Sequence, residues 1–186
     1  MRRSRRIWLS CFILLGAAPG LVVAQAPRRG PATSAYTPLD LDRCTRIGPG
    51  EEESDTWRCP GYGGIPLFVG YGDLRFDVDA GEDNHVWESH AAPNTLPDRV
   101  EWRLRGGRPR AIIYRLRLTD AEGRAGRSLL GVETISRAGE WAGCLVAWID
   151  GDVPNANAVA RRYADRDHQS FQCGHSEPEV VIRQRR

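Results

Sequence analysis

Two alternating runs on either side of a Gly-Gly turn constrain this chain more than any other feature. Val100, Trp102 and Leu104 alternate with charged residues, and Ile112, Tyr114, Leu116 and Leu118 repeat the pattern. Successive side chains of a strand point to opposite faces, so each run presents one apolar and one polar face. A helix would need its apolar residues at a spacing nearer 3.6. Gly106-Gly107-Arg108-Pro109-Arg110 supplies the turn between the two strands. Keeping both apolar sets on one face predicts Trp102 near Tyr114, Val100 near Leu116 and Leu104 near Ile112. The same register sets Glu101 beside Arg115 on the polar face.

Other segments extend the sheet. Strands are predicted at residues 45–47, 56–58, 65–71, 128–135 and 145–150, the last two separated by the turn Ala138-Gly139-Glu140. In residues 73–79, Leu74, Phe76 and Val78 alternate with Asp73, Arg75, Asp77 and Asp79, the pattern of a half-buried strand. Residues 81–97 lack periodicity and read as a long loop. One helix is predicted over residues 155–169: Asp152 or Asn155 caps it, Pro154 suits its first turn, and Val159, Ala160, Tyr163 and Ala164 form its apolar stripe. The predicted fold class is α+β, an antiparallel sheet of about six strands with one C-terminal helix packed on it and two disulfides.

The N-terminus reads as an export signal. Arg2, Arg3, Arg5 and Arg6 precede an apolar run over residues 7–15, Pro19 and Gly20 break it, and cleavage fits after Ala24. The run is too short and interrupted to span a membrane, so no transmembrane segment is expected after cleavage. Ser4-Arg5-Arg6 approaches a twin-arginine signal, but the short basic region and strongly apolar core favour the general secretory route. The domain boundaries expected are a signal over 1–24, a flexible leader over 25–35, a single domain over 36–176 and a basic tail over 177–186. The expected location is the periplasm or the extracellular space.

Every one of the 26 basic residues is arginine. The absence of lysine excludes Schiff-base chemistry and a P-loop lysine; codon usage in a GC-rich genome is the bland reading of the bias itself. Removing the signal leaves 22 arginines against 24 acids, and residues 36–179 carry a formal charge of −7. An acidic domain lacks the basic footprint of a nucleic-acid binder. No cofactor motif is present.

Signal removal also discards Cys11, leaving Cys44, Cys59, Cys144 and Cys173. In an exported chain an even set reads as two disulfides. Antiparallel pairing of the strands at 45–47 and 56–58 sets Cys44 opposite Cys59. A six-residue strand advances about 20 Å and the helix returns about 22 Å, which brings Cys144 and Cys173 to the same end. A zinc site is the rival reading, but no CxxC spacing supports it.

Candidate sites are sparse. Asp77-Val-Asp79-Ala-Gly81-Glu-Asp83, ending at Glu88, approaches a calcium loop, yet Glu82 occupies the position that requires glycine. The preferred reading is an acidic loop, and no metal site is expected. His85, Glu88 and His90 place two imidazoles and a carboxylate in one loop, the groups a hydrolase needs for acid–base work, although His168 and His175 are remote. The polar face of the central hairpin carries Arg99, Arg103, Arg105, Arg115 and Arg117, which suit phosphate, sulfate or carboxylate groups; an ordinary solvated face is the bland alternative. Trp87 and Trp141 are candidates for stacking on sugar rings, with burial in the core the equal alternative. There is no GxSxG elbow.

The stretches Tyr36-Thr-Pro-Leu-Asp-Leu-Asp-Arg-Cys44, Trp57-Arg-Cys-Pro-Gly-Tyr-Gly-Gly64 and Gly72-Asp-Leu-Arg-Phe76 resemble a group of uncharacterised exported bacterial proteins. The resemblance covers half the chain and implies a shared fold and envelope location, with no activity. The function expected is a non-catalytic envelope domain that binds or inhibits an envelope protein or an anionic glycan. A hydrolase acting through His85, Glu88 and His90 is the second expectation. The third is peripheral attachment through the arginine-bearing tails.

Overall fold

The computed structural model describes residues 30–49, 55–83, 86–120, 122–136, 143–166 and 171–183. The signal, the Ala138-Gly139-Glu140 turn, His85, Trp141 and His168 lie outside these residues. The described strands are β1 (Ala32–Pro38), β2 (Thr45–Pro49), β3 (Asp55–Cys59), β4 (Leu67–Gly72), β5 (Arg75–Ala80), β6 (Asn94–Thr95), β7 (Arg99–Arg105), β8 (Arg108–Thr119), β9 (Ala125–Thr134), β10 (Leu145–Asp150) and β11 (Glu179–Val181), with helix α1 (Ala156–Ala164) before the last.

The α+β class, the single helix and both disulfides hold, but the strands divide between two sheets. One runs β1-β7-β8-β9-β10-β11, with β6 also on β8; the other runs β2-β3-β4-β5. All pairings are antiparallel except β10 with β11. The apolar faces of the two sheets share one core that includes Leu67, Val69 and Val78 from the smaller sheet and Val100, Trp102, Tyr114 and Leu116 from the larger. On the other side of the larger sheet, Ala111, Ile113, Leu130, Val132 and Ile149 pack against Ala156, Val159, Ala160 and Ala164 of α1. Covered on both faces, β10 is buried at all six positions.

The central hairpin forms with a register two residues from that predicted. Val100 pairs with Tyr114 and Trp102 with Ile112, while Glu101 lies opposite Ile113 rather than Arg115. Gly106 and Gly107 both take positive φ, 57° and 75°, and close a two-residue turn between Arg105 and Arg108. Such turns match the twist of the strands and demand residues without a Cβ penalty. An irregularity between Arg103 and Leu104 follows, where Leu104 pairs with Pro109, which has no N–H to give the ladder. Because the slip is an even number, every side chain keeps its predicted face.

Both chain ends depart from expectation. Part of the predicted leader is strand: Ala32–Pro38 pairs along the whole of β7. Trp102 Nε1–H donates to Thr37 Oγ1 at 2.8 Å, fixing that strand to the core. Part of the predicted tail, Glu179–Val181, adds to the far edge beside β10. There the Tyr163 hydroxyl and the Arg166 guanidinium both donate to Glu179, at 2.8 and 2.7 Å. The helix is shorter than predicted and ends at Ala164, with Asp165 as its cap. Cys44 is bonded to Cys59 and Cys144 to Cys173, with Cα separations of 4.3 and 5.7 Å. Each bridge contributes about 3 kcal/mol by restricting the unfolded chain. No described helix is long and apolar enough to cross a membrane.

Candidate functional site

Helix α1 covers only part of its face of the larger sheet. Beside it lies an open groove of about 520 Å³, floored by Ile113 and Leu130 and lined by Arg99, Arg115 and Arg117 from the strands and by Asn157 and Arg161 from the helix. Strand alternation puts Arg115 and Arg117 on the same face of β8 as Ile113. The turn before the helix then brings Asn157 over them.

The groove arginines differ in what they hold. Arg161 spans both oxygens of Glu101, at 2.7 and 3.1 Å, and also donates to the Tyr36 hydroxyl. Burial opposes charge on Glu101, yet the hydrogen bonds from Arg161 and Ser34 hold its carboxyl below the usual range. The Arg161 guanidinium is correspondingly held above its ordinary value, first by its hydrogen bond to Glu101. Arg115 instead donates to two neutral oxygens, Ser128 Oγ at 2.7 Å and Asn157 Oδ1 at 2.9 Å. Burial and then the charge of Arg117 push its pKa down. Arg99 lies over the Tyr36 ring, 5.5 Å from the centroid. Among the described residues no ion pair joins Arg99, Arg115 or Arg117 to a carboxylate. Arg115 is thus oriented by neutral groups while its charge is left uncompensated, the arrangement of a site that meets an anion from outside.

Arg103 and Arg105, predicted on the same face, do not join this groove. Arg103 clamps Asp165 through Nε and Nη2, at 3.0 and 2.6 Å, and Arg105 donates to the Asp165 carbonyl. Their role is to hold the C-terminal end of α1 to β7.

The long loop ties its described candidates to neighbouring strands. Trp87 lies on Gly70, where any Cβ would come within 3.0 Å of its ring, and Arg75 sits 5.7 Å from the ring centroid. The Glu88 N–H donates to Asp77 at 3.0 Å, and its side chain accepts from the Leu145 N–H at 2.9 Å. His90 Nδ1 accepts from the Ala92 N–H, and its ring meets Trp148 edge-on at 5.9 Å. Burial, then Arg127, lowers the His90 pKa. Glu88 and His90 each tie the loop to β10.

The burial of a second group escaped the sequence reading. Asp77, Asp79 and Glu133 are only 4%, 8% and 1% exposed. Residues 73–79 were expected to carry their acids on the wet face of a half-buried strand, but the following loop folds back over that face. Burial raises Asp77 to about 6. Asp79 rises to about 9, through burial and then the charges of Asp77, Asp83 and Glu88. Glu133 is raised well above its ordinary value by burial and by Asp79. One signal was available: Glu133 is the lone acid within an apolar stretch of Leu129, Leu130, Val132 and Ile135. No cluster of three or more His, Cys, Asp or Glu able to hold a metal ion occurs among the described residues.

No protein family, curated protein or solved structure matches the chain in sequence or fold.

Proposed function

We propose that the protein is an exported, non-catalytic binding domain whose groove takes an acidic group of an envelope glycan between Arg99, Arg115 and Arg117. The observation that carries this reading is Arg115, which is positioned by Ser128 and Asn157 yet has no described carboxylate partner. The groove is concave and within the size range of small-ligand sites, whereas protein partners meet broader, flatter surfaces. Its apolar floor at Ile113 and Leu130 suits the carbon face of a sugar ring beside the anion. Export is supported by the signal-like residues 1–24 and by the two disulfides. The hydrolase reading is disfavoured because Glu88 and His90 are both engaged in holding the loop. Attachment through the tails rests on Arg28, Arg29, Arg185 and Arg186, which lie outside the described residues.

Calorimetric titration with oligogalacturonate and with its methyl ester tests the reading. The acid form should bind, the ester should not, and added salt should weaken binding. Arg115→Gln and Arg117→Gln should each reduce affinity at least tenfold, about 1.4 kcal/mol. Equal binding of acid and ester, or an unchanged affinity in both variants, overturns the groove as the site.

A further inference from the structure

Strand β11 ends the order of the seven-stranded sheet and pairs only with β10 among the described residues. Its outer side therefore presents backbone donors and acceptors that no described strand takes up, the condition that invites a further strand. The parallel pairing sets Val180 beside Trp148 and Val181 beside Ile149. Alternation then divides the side chains of β11. Glu179 and Val181 face α1, where Glu179 accepts from Tyr163 and Arg166 and Val181 packs with the helix cluster. Val180 and Ile182 face the other way and are 66% and 61% exposed, the two most exposed large apolar side chains among the described residues.

Residues 177–185 read Glu-Pro-Glu-Val-Val-Ile-Arg-Gln-Arg, with acids before the apolar centre and bases after it. Laid antiparallel on a copy of itself about Val181, this segment sets Glu179 opposite Arg183 and Val180 opposite Ile182. One alternation further out in the sequence, Glu177 falls opposite Arg185, which lies outside the described residues. A parallel copy in the same register would set like charge on like, which opposes pairing. Glu177 and Arg183 are exposed, and no ion pair among the described residues occupies either. Glu179 keeps acceptor capacity beyond its two bonds, because a carboxylate offers about four lone-pair sites. The opposite margin, β1, reads Ala-Thr-Ser-Ala-Tyr-Thr-Pro and has no such reversal of charge.

We propose that two copies of the chain join through β11, antiparallel about a two-fold axis at Val181, so that the larger sheet continues from one subunit into the other. In a two-fold contact every pair occurs twice. The contacts of Val180 with Ile182 shelter apolar side chains that a lone subunit leaves in water, and the pairs of Glu179 with Arg183 set direction and register. The contact is short, which makes the dimer a weak and concentration-dependent one. β11 contributes no residue to the groove lining, so this dimer and the anion-binding reading stand or fall separately.

Sedimentation velocity over a hundredfold range of concentration tests this on the protein recovered after export with both disulfides intact. The parent should pass from monomer to dimer as concentration rises. Val180→Lys, at an exposed position, should weaken the dimer at least tenfold with an unchanged circular dichroism spectrum; if it fails to fold, Ile182→Lys serves the same purpose. Arg183→Glu sets like charge against Glu179 and should weaken the dimer as well. A parent that stays monomeric throughout overturns the proposal, as does a dimer indifferent to either substitution. Monomers that instead bind vesicles of anionic phospholipid through Val180 and Ile182 would assign these residues to a lipid surface and overturn it too.

Discussion

Opposite faces of the seven-stranded sheet handle charge in opposite ways. On the helix side, Arg115 is part-buried but borders an open groove, keeps its charge, and is steadied by the neutral oxygens of Ser128 and Asn157. On the other side, Asp79 and Glu133 are sealed from water, and the fold holds them by keeping a proton. The difference lies in access to water and in the titration range of each group. A guanidinium cannot shed its proton in the working range, whereas a carboxyl can gain one when burial makes charge expensive. A charge kept at a groove is available to a ligand; a charge suppressed in the interior becomes a response to pH.

The largest effect should come from breaking the ionic contact that holds the end of α1 to β7. Arg103→Ala removes the clamp on Asp165 and a charge near Glu101, which lies 3.8 Å away. A loss of about 3 kcal/mol is expected, measured by urea unfolding. By contrast Arg115→Gln should change stability by less than about 0.5 kcal/mol, because only neutral partners are lost. Equal costs for the two would erase the distinction between the arginines that hold the helix and those that border the groove.

The pH dependence comes next in size and separates the two faces by sign. A carboxyl whose folded pKa is raised contributes stability below its unfolded value and loses that contribution as pH climbs through the folded value. For Asp77 and Asp79 that window runs from the ordinary 3.8 up through about 6 and about 9. Glu101 is depressed instead, so its contribution is present above its ordinary 4.5 and is lost as pH falls through the lowered value. Urea midpoints should therefore decline from mildly acidic toward alkaline pH, the reverse of common acid denaturation. Glu133→Gln should flatten the decline and gain about 1 kcal/mol over the parent at pH 9. A parent whose stability rises between pH 6 and 9 would contradict the buried-proton account.

Alternation made the hairpin, the paired cysteines and the helix stripe legible, because each follows from period and chain reach alone. Even the misjudged register left Arg115 and Arg117 on their predicted face, since a two-residue slip preserves parity. Local pattern could not show that α1 would cover part of that face and divert Arg103 and Arg105 to Asp165. Nor could it show that residues 86–93, which have no periodicity, would fold over Asp77 and Asp79. The edge strands β1 and β11 were missed for a related reason: short strands at a sheet margin need no alternating apolar face.

Those two margins also set the order in which the molecule can be completed. β1 waits for β7, and the hydroxyl of Ser34 finds Glu101 across 67 positions of chain. β11 is parallel to β10 and docks only after the intervening helix has crossed back. A chain emerging from its N-terminus therefore passes through a stage with the middle strands paired and at least one margin bare. Open margins of this kind recruit other chains. Shortening the protein past Ala32 or before Glu179 would make that transient stage permanent, and self-association, more than loss of the core, would be its mark.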